Sequence, residues 1–594
     1  VVVGPVRLQP SLALRTVVSS ALQPSLALRT TVYSVGTGGY GVSGNSLRWR
    51  PVVTLGDVDV SARLVGDVTV DAEEGAARVA EFTLRPTGGP IDPSSWVGQS
   101  VAIDYAVLDA AGDVVTTARI FCGLVDVPEY DPSERTTRFA CTDGRQQRLG
   151  RAPRAALDAM IGGYWSQHLC AAGADSLQYA EDLLSTIPAS YDLDASGAGR
   201  LTPWAAAATP DHTFSASSIL GGTADIRLAE RGDLINTVSI DIGYRYPREL
   251  ERRVRWRWSY PGGFCGWLAA GTTIPRIDMI VSAMESAGWL PMYSGLHCVH
   301  PPGSGSWCGV QWVVNDAVRQ TLVLEAEAQL ARRWVRDVTE TYRVTVTSPE
   351  SVAQVGIIDT SQSASLSADV DTSAWTGSAS WADPGGDVSD ANGDWYRDRT
   401  DGESGGRAEA DALLEASIAR ARTDILSAHR TSRASWDALL HPGVDLVHTA
   451  RIETDTVTAQ GKVRRVVHTM RLDTGEATTS VEIAISRVTG LGLSSDPIAA
   501  PSAPDVAAEL TRTDPLIRYG DTHIGGVTGC APDDDGWVGY VGNQEPVDPG
   551  AEQYTERFVL DVPEIESAAV DPLEVETAST VDVAIPVDTL EIAV

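Results

Sequence analysis

The stretch Ala450 to Val488, ARIETDTVTAQGKVRRVVHTMRLDTGEATTSVEIAISRV, constrains the fold more than any other. Val457, Val463, Val466, Met470 and Leu472 fall among Thr, Arg and Gln, and Val481, Ile483 and Ile485 alternate with Glu482, Ala484 and Ser486. Period two with one apolar face predicts antiparallel strands, dry on one side and wet on the other. Gln460-Gly461 and Asp473-Thr474-Gly475 stand where turns are expected, because glycine accepts the positive φ of hairpins.

A second stretch of the same style runs from Val52 to Asp143: VVTLGDVDVSARLVGDVTV, VAEFTLRP, SVAIDYAVL, ARIFCGLVDVPEY and TTRFACTDG. Two such blocks predict two small β domains with a long middle region between them. With 594 residues and 43% hydrophobic content, the chain is long enough for several cores. The predicted class is α+β, β-rich and multidomain.

The expected divisions are a 1–45 arm, a first β domain at 46–150, a mixed α/β region at 151–337 and a strand with a Ser/Asp/Gly-rich insertion at 338–404. A helix with the second β domain follows at 405–490, then a linker and Gly/Asp-rich segment at 491–553, and an acidic arm at 554–594. The first arm repeats Leu8–Thr16 as Leu22–Thr30. It reads as an extended segment that lies on a neighbour, or as a tandem duplication with no role.

Helical spacing is clearest at 408–431. Leu414, Ile418, Ala421 and Ile425 step by four, three and four, with acids early and arginines late as the helix dipole favours. Leu177, Ala180, Leu184 and Ile187 mark another face, which Pro188 stops. Ile277, Ile280, Val281 and Met284 mark a third, and Asn315 is placed to cap a fourth carrying Val318, Leu322, Ala326 and Leu330. The tail after Tyr554 has short alternating runs broken by Pro563, Pro572 and Pro586. Its acidity and thin apolar content predict an arm that orders on a partner's sheet edge.

The net charge is −33, and Lys462 is the single lysine. Such a balance argues against gripping nucleic acid through phosphates. It suits a channel that DNA crosses without sticking, and equally a plain solvated acidic surface. There is no run of eighteen apolar residues of the kind that spans a membrane as a helix. The start VVVGPVRLQPSLALRT is a poor signal peptide, and the lack of Met there is expected to reflect processing or a non-standard start codon.

Chemistry-bearing residues are few. His297, Cys298 and His300, with Cys308 and Cys265 nearby, form the most ligand-like cluster, in spacings that match no standard zinc pattern. A metal, a disulfide between Cys298 and Cys308 across Pro301–Gly305, and ordinary hairpin residues are the readings open there. Cys122 and Cys141 likewise flank a turn, and unpaired buried thiols are the plain alternative for both pairs. Asp192–Gly197 opens like a calcium loop, but its twelfth position is Pro203 rather than Glu, so an Asx-rich turn is favoured. Asp390–Asp394 is similar. His168 and Cys170 stand two apart on one segment, a poor placement for a base and its nucleophile. No phosphate-loop, HExxH or GxSxG pattern occurs. The expectation is no catalytic residue, no cofactor and no metal.

The two strand blocks resemble the baseplate hub, or tail-tip hub, proteins of tailed bacteriophages. The residues that carry the resemblance are Gly56–Ser61, Ala80–Leu84, Trp96–Gly98, Phe121–Val125 and Cys141–Asp143 in the first block. In the second they are Gln460–Val463 through His468 and Thr474–Thr478. The resemblance implies two small tail-tube-like β-sandwich or barrel domains with a packed helix, and a homotrimer whose six β domains form a ring. It also implies a virion protein assembled in the bacterial cytoplasm. Its partners would be the distal tail protein, the end of the tape-measure protein and tip or fibre proteins, and it would meet the host envelope at infection. The readings set beside it are a tail-associated peptidoglycan hydrolase and a receptor- or carbohydrate-binding module using the Trp-rich 289–312 and 375–395 segments.

Overall fold

The computed structural model describes residues 48–86, 92–109, 111–170, 173–259, 262–270, 276–286, 289–291, 296–368, 394–398, 406–486 and 570–593, with two-residue strands at 11–12, 28–29, 388–389, 538–539 and 558–559. Asp390–Gly393 and most of the 1–45 and 491–569 segments lie outside the described residues. Ser11–Leu12 pairs with Leu28–Arg29, which joins the two copies of the N-terminal repeat.

The first block holds β1 (Arg48–Leu55), β2 (Leu64–Glu73), β3 (Val79–Leu84), β4 (Ser100–Leu108), β5 (Val114–Asp131) and β6 (Thr136–Thr142). Three helices follow, α1 (Arg145–Arg151), α2 (Arg154–Ile161) and α3 (Ser176–Leu184). The expected face of α3 packs with Leu149, Leu157 and Ile161. Then come β7 (His212–Ser215), β8 (Asp225–Arg227), the 23-residue β9 (Thr237–Ser259), α4 (Gly263–Ala270), α5 (Ile277–Ser286), the 23-residue β10 (Glu325–Thr347) and β11 (Asp359–Ser367). The chain continues through α6 (Gly406–Ala428), β12 (Ser432–Leu439), β13 (Thr449–Glu453), β14 (Val457–Arg471) and β15 (Glu476–Ile485), and ends with β16 (Leu573–Asp582) and β17 (Leu590–Ile592).

Strand order shows an internal repeat. The first block runs β2-β3-β6-β5-β4-β1, and the second runs β8-β12-β15-β14-β13-β7. Taken in chain order, each strand of one block has its counterpart in the other. The pairings agree in sense except that β7 lies parallel to β13, whereas β1 is antiparallel to β4. The second block therefore begins at β7, far ahead of the 405–490 segment. The middle domain is inserted where the first block has only the short β2–β3 connection. The two blocks are also not separate sheets, because β14 pairs with β2 and makes them one.

The middle domain is built on β9 and β10, paired along their whole length from Thr237↔Thr347 to Ser259↔Glu325. Such strands span about 75 Å. Ala326 and Leu330 are in β10, so the helix expected after Asn315 stops at Arg319. A spacing of four is also a multiple of two, and the strand pattern won. Asn315 does cap that short helix, accepting from Ala317 N at 2.9 Å. β11 joins β9, and α6 lies on this sheet. Leu414, Ile418, Ala421 and Ile425 pack with Val238, Ile240, Ile242 and Val344. The sequence reading set that helix on the strands that follow it.

The acidic tail is the largest departure. β16 is a ten-residue strand parallel to β10, and Val583 and Ile585 are buried with the α6 face. β17 then pairs with β14. From Leu573 onward the tail adds to its own chain's sheets. Pro572 stands just before β16 and Pro586 between β16 and β17, so these two prolines separate the strands of the tail.

Candidate functional site

The joint between the blocks is a dense polar region built from both repeats. Arg465 to Arg471 of β14 pairs with Glu73 to Asp67 of β2. Arg465 clasps Asp71 through Nε at 3.0 Å and Nη2 at 2.5 Å. Met470 and Ala477 of the second block enter the first block's core, and Ala72 of β2 enters the second's. Arg430, after α6, reaches Glu74 at 3.2 Å and covers the Trp204 ring at 4.8 Å.

Beside this ladder, Asp445 receives Arg78 at 2.5 Å and Arg200 at 2.9 Å. Burial opposes ionisation there, but the two guanidiniums hold its carboxyl below the usual range. Arg200 also binds Asp192 at 2.7 Å, and Thr202 donates to Asp192 at 2.5 Å. His212 packs between His441 and His448, with ring centroids 4.9 and 4.8 Å away. Lys462 is buried and donates to the Val447 carbonyl. His468 is fully buried against the Thr479 hydroxyl, 2.9 Å away. Burial, then the two neighbouring imidazoles, pushes His212 down to about 4; burial pushes His468 down to about 3. The Arg78–Asp445 and Arg465–Asp71 pairs tie the second block to the first, while the neutral rings of His212, His441 and His448 pack within the second.

That chemistry sets an acid response. These histidines are neutral when folded and take protons near 6.5 when unfolded. Stability is therefore retained above about pH 6.5 and falls as pH drops toward 4. For His212 alone the loss by pH 5 is on the order of 1–2 kcal/mol. Asp588, raised to about 6 by burial, works in the opposite direction. Thermal melting followed from pH 7 to pH 5 is expected to move down by several degrees, with a shallower slope in His212→Phe. An unchanged slope in that variant rejects the assignment.

Of the junction histidines only His468 stands in a quoted sequence motif, and His212, His441 and His448 stand in none. His212 and His441 are far apart in the chain, and no local motif links them. The candidate ligand residues lie elsewhere. His297 and Cys298 pair with Glu327 and Ala326 of β10, and His300 Nδ1 lies 2.7 Å from the Leu322 carbonyl. Cys308 is bonded to Cys265, which corrects the Cys298–Cys308 reading and removes its sulfur from any ligand set. Its partner came from α4 because Cys308 sits at the tip of the Gly305–Trp312 hairpin, a turn with Gly309. Cys122, Cys141, Cys170 and Cys298 are free thiols. Among the described residues no three His, Cys, Asp or Glu side chains group to hold a metal.

His168 lies 3.2 Å from Glu409, and burial raises the Cys170 thiol, contrary to what a thiolate nucleophile needs. Asp194 accepts from Ser196 N, Ser196 Oγ and Ala198 N, so the calcium-like stretch is an Asx turn.

No protein-family model matches the sequence, and no curated protein matches it. Among solved structures the chain is similar to a tail protein from Neisseria meningitidis MC58. The TM-score is 0.33 at 8% identity, over 73% of this chain and 96% of that one. It is similar also to the 43 kDa tail protein of prophage MuSo2 from Shewanella oneidensis, at TM-score 0.32 and 9% identity over 73% and 98%. A third is prophage tail protein gp18 from Listeria monocytogenes EGD-e, at 0.30 and 9% over 73% and 94%. Likenesses at this level establish neither fold nor function.

Proposed function

We propose that this chain is the structural hub of a phage tail tip or baseplate, and that three copies form a ring. The observation that carries the reading is the repeated six-strand order, with both repeats joined in one sheet. A chain with two equivalent units presents six of them as a trimer, which matches a sixfold tube on one side and threefold tip proteins on the other. The ring lines part of the DNA ejection channel, and its acidic charge lets DNA pass without specific binding. The role is non-enzymatic. Its neighbours are the distal tail protein, the end of the tape-measure protein and tip or fibre proteins, with the host envelope met at infection.

The test is the mass of the purified assembly. Light scattering is expected to give three times the 63.0 kDa chain, with rings in electron micrographs. A species that stays monomeric or dimeric at high concentration rejects the trimer.

A further inference from the structure

We infer that the open half of β5 forms an antiparallel ladder with β8 of a second copy, repeating between chains the joint that β14 and β2 make within one. This rests on the ring reading and names its contact.

The two hairpins are built alike. β13 accompanies β14 only as far as Lys462, and from Arg465 the vacated side is taken by β2. β4 accompanies β5 only as far as Leu124, while β6 stays on the other side to Asp131. Among the described strands, none pairs with the vacated side of Val127–Asp131. Both strands carry a bulge at the same step, at Asp126 and at Arg464. Three residues earlier in each case stands a glycine whose Cβ would strike the facing backbone, Gly123 at 2.3 Å from Thr142 O and Gly461 at 2.1 Å from Ala484 O where a residue tolerates no such approach. These marks place Val127 on Arg465 and Asp131 on Thr469.

β8 is the counterpart of β2. The β2–β3 ladder breaks between Val65 and Thr69, then resumes at Thr69, Val70 and Asp71. The β8–β12 edge has a bridge at Ile219, then resumes at Asp225, Ile226 and Arg227. Carrying the internal register across sets Tyr130 opposite Ile226, Glu129 opposite Arg227 and Pro128 opposite Leu228. The side chains suit that register. Leu228 is 60% exposed, Val127 46% and Tyr130 40%, so large apolar groups line both open edges. Glu129 meets Arg227 as acid to base. Asp131 falls opposite Asp225, a like pair that Arg227, 3.0 Å from Asp225, partly offsets. Pro128 maps to Val466 and so faces the open side; lacking an N–H, it leaves this ladder one bond short and discourages unguided strand addition at the same edge. The two edges are different surfaces of one chain, so the contact is heterologous and closes into a ring when the rotation permits.

Glu129 and Arg227 are both exposed, so they can be changed with little risk to the fold. The full-length Glu129→Cys, Arg227→Cys double variant is expected to give disulfide-linked dimers and trimers on mild oxidation, with no larger species, while each single variant does not. Glu129→Arg and Arg227→Glu are each expected to raise the half-assembly concentration by about tenfold, and together to restore it. Circular dichroism checks that each variant is folded. A trimer that neither cross-links at these positions nor responds to the charge changes overturns this interface and leaves the hub reading standing. A chain that stays monomeric at every concentration overturns both.

Discussion

Deleting residues 570–594 unfolds the middle domain of the isolated chain while the first strand block stays folded. The deletion removes β16 from the edge of β10 and takes Val583 and Ile585 out of the core beneath α6. Val583 is 3% exposed and Ile585 fully buried, so these two side chains alone account for roughly 3–6 kcal/mol. The ten-residue ladder and the β17 pairing add to that. Hydrogen exchange reads the outcome directly: amides of β10 and α6 lose protection in the truncated chain, and those of β3 and β6 keep it. A smaller change, Ile585→Ala, is expected to cost about 2–5 kcal/mol. Unchanged protection of β10 after truncation assigns the tail to a partner after all, as its composition suggested.

That contrast shows what the sequence could display. β16 alternates with one face half-buried, and the alternation was visible; what it paired with was not. Composition measures how much surface a segment can bury alone, and this tail borrows its partner from the same chain. The α6 stripe was legible because Leu414, Ile418, Ala421 and Ile425 fit only a helical period, yet the surface it covers belongs to β9 and β10. The hairpin β14–β15 was legible in the same way. His468 was not, since a histidine on the apolar face of a strand reads as polar until Thr479 is known to sit beside it.

The second block was half hidden. Its first two strands are short and precede a large insertion, so β12 to β15 looked like the whole domain. β9 alternates plainly from Val238 to Tyr246, but the arginines that follow blur the pattern, and its full length emerges only in the register with β10. The Cys265–Cys308 bond spans 43 residues with no local signal, whereas Cys298 lay conspicuously near Cys308. Local periods were readable; long-range pairing was not.

Replacing Arg407 with Met is expected to destabilise the middle domain by about 3–5 kcal/mol. Glu340 is 2% exposed and lies under α6. Arg407 grips both its oxygens, at 2.6 and 2.7 Å, and lies over the Tyr244 ring at 4.9 Å. Tyr246 donates to the same carboxylate at 2.7 Å, and so does Tyr342. Burial works against ionisation, but Arg407 and the two tyrosines hold the Glu340 carboxyl below its ordinary value. In the native chain this pair therefore stabilises above about pH 4.5, and its contribution is lost as pH falls through the lowered value. Without Arg407 the sign reverses. The carboxyl remains buried with no cation, its folded value rises, and the folded state takes up a proton before the unfolded state does. The Arg407→Met variant should thus regain stability between neutral pH and about 4.5 relative to the native chain. The Glu340→Gln, Arg407→Met double variant should recover most of the loss at pH 7 and show neither trend. Urea denaturation at pH 7 and pH 5 distinguishes these outcomes. If Arg407→Met costs under about 1 kcal/mol at pH 7, the pair carries no more than an exposed ion pair does, and the buried-charge account of this core is wrong.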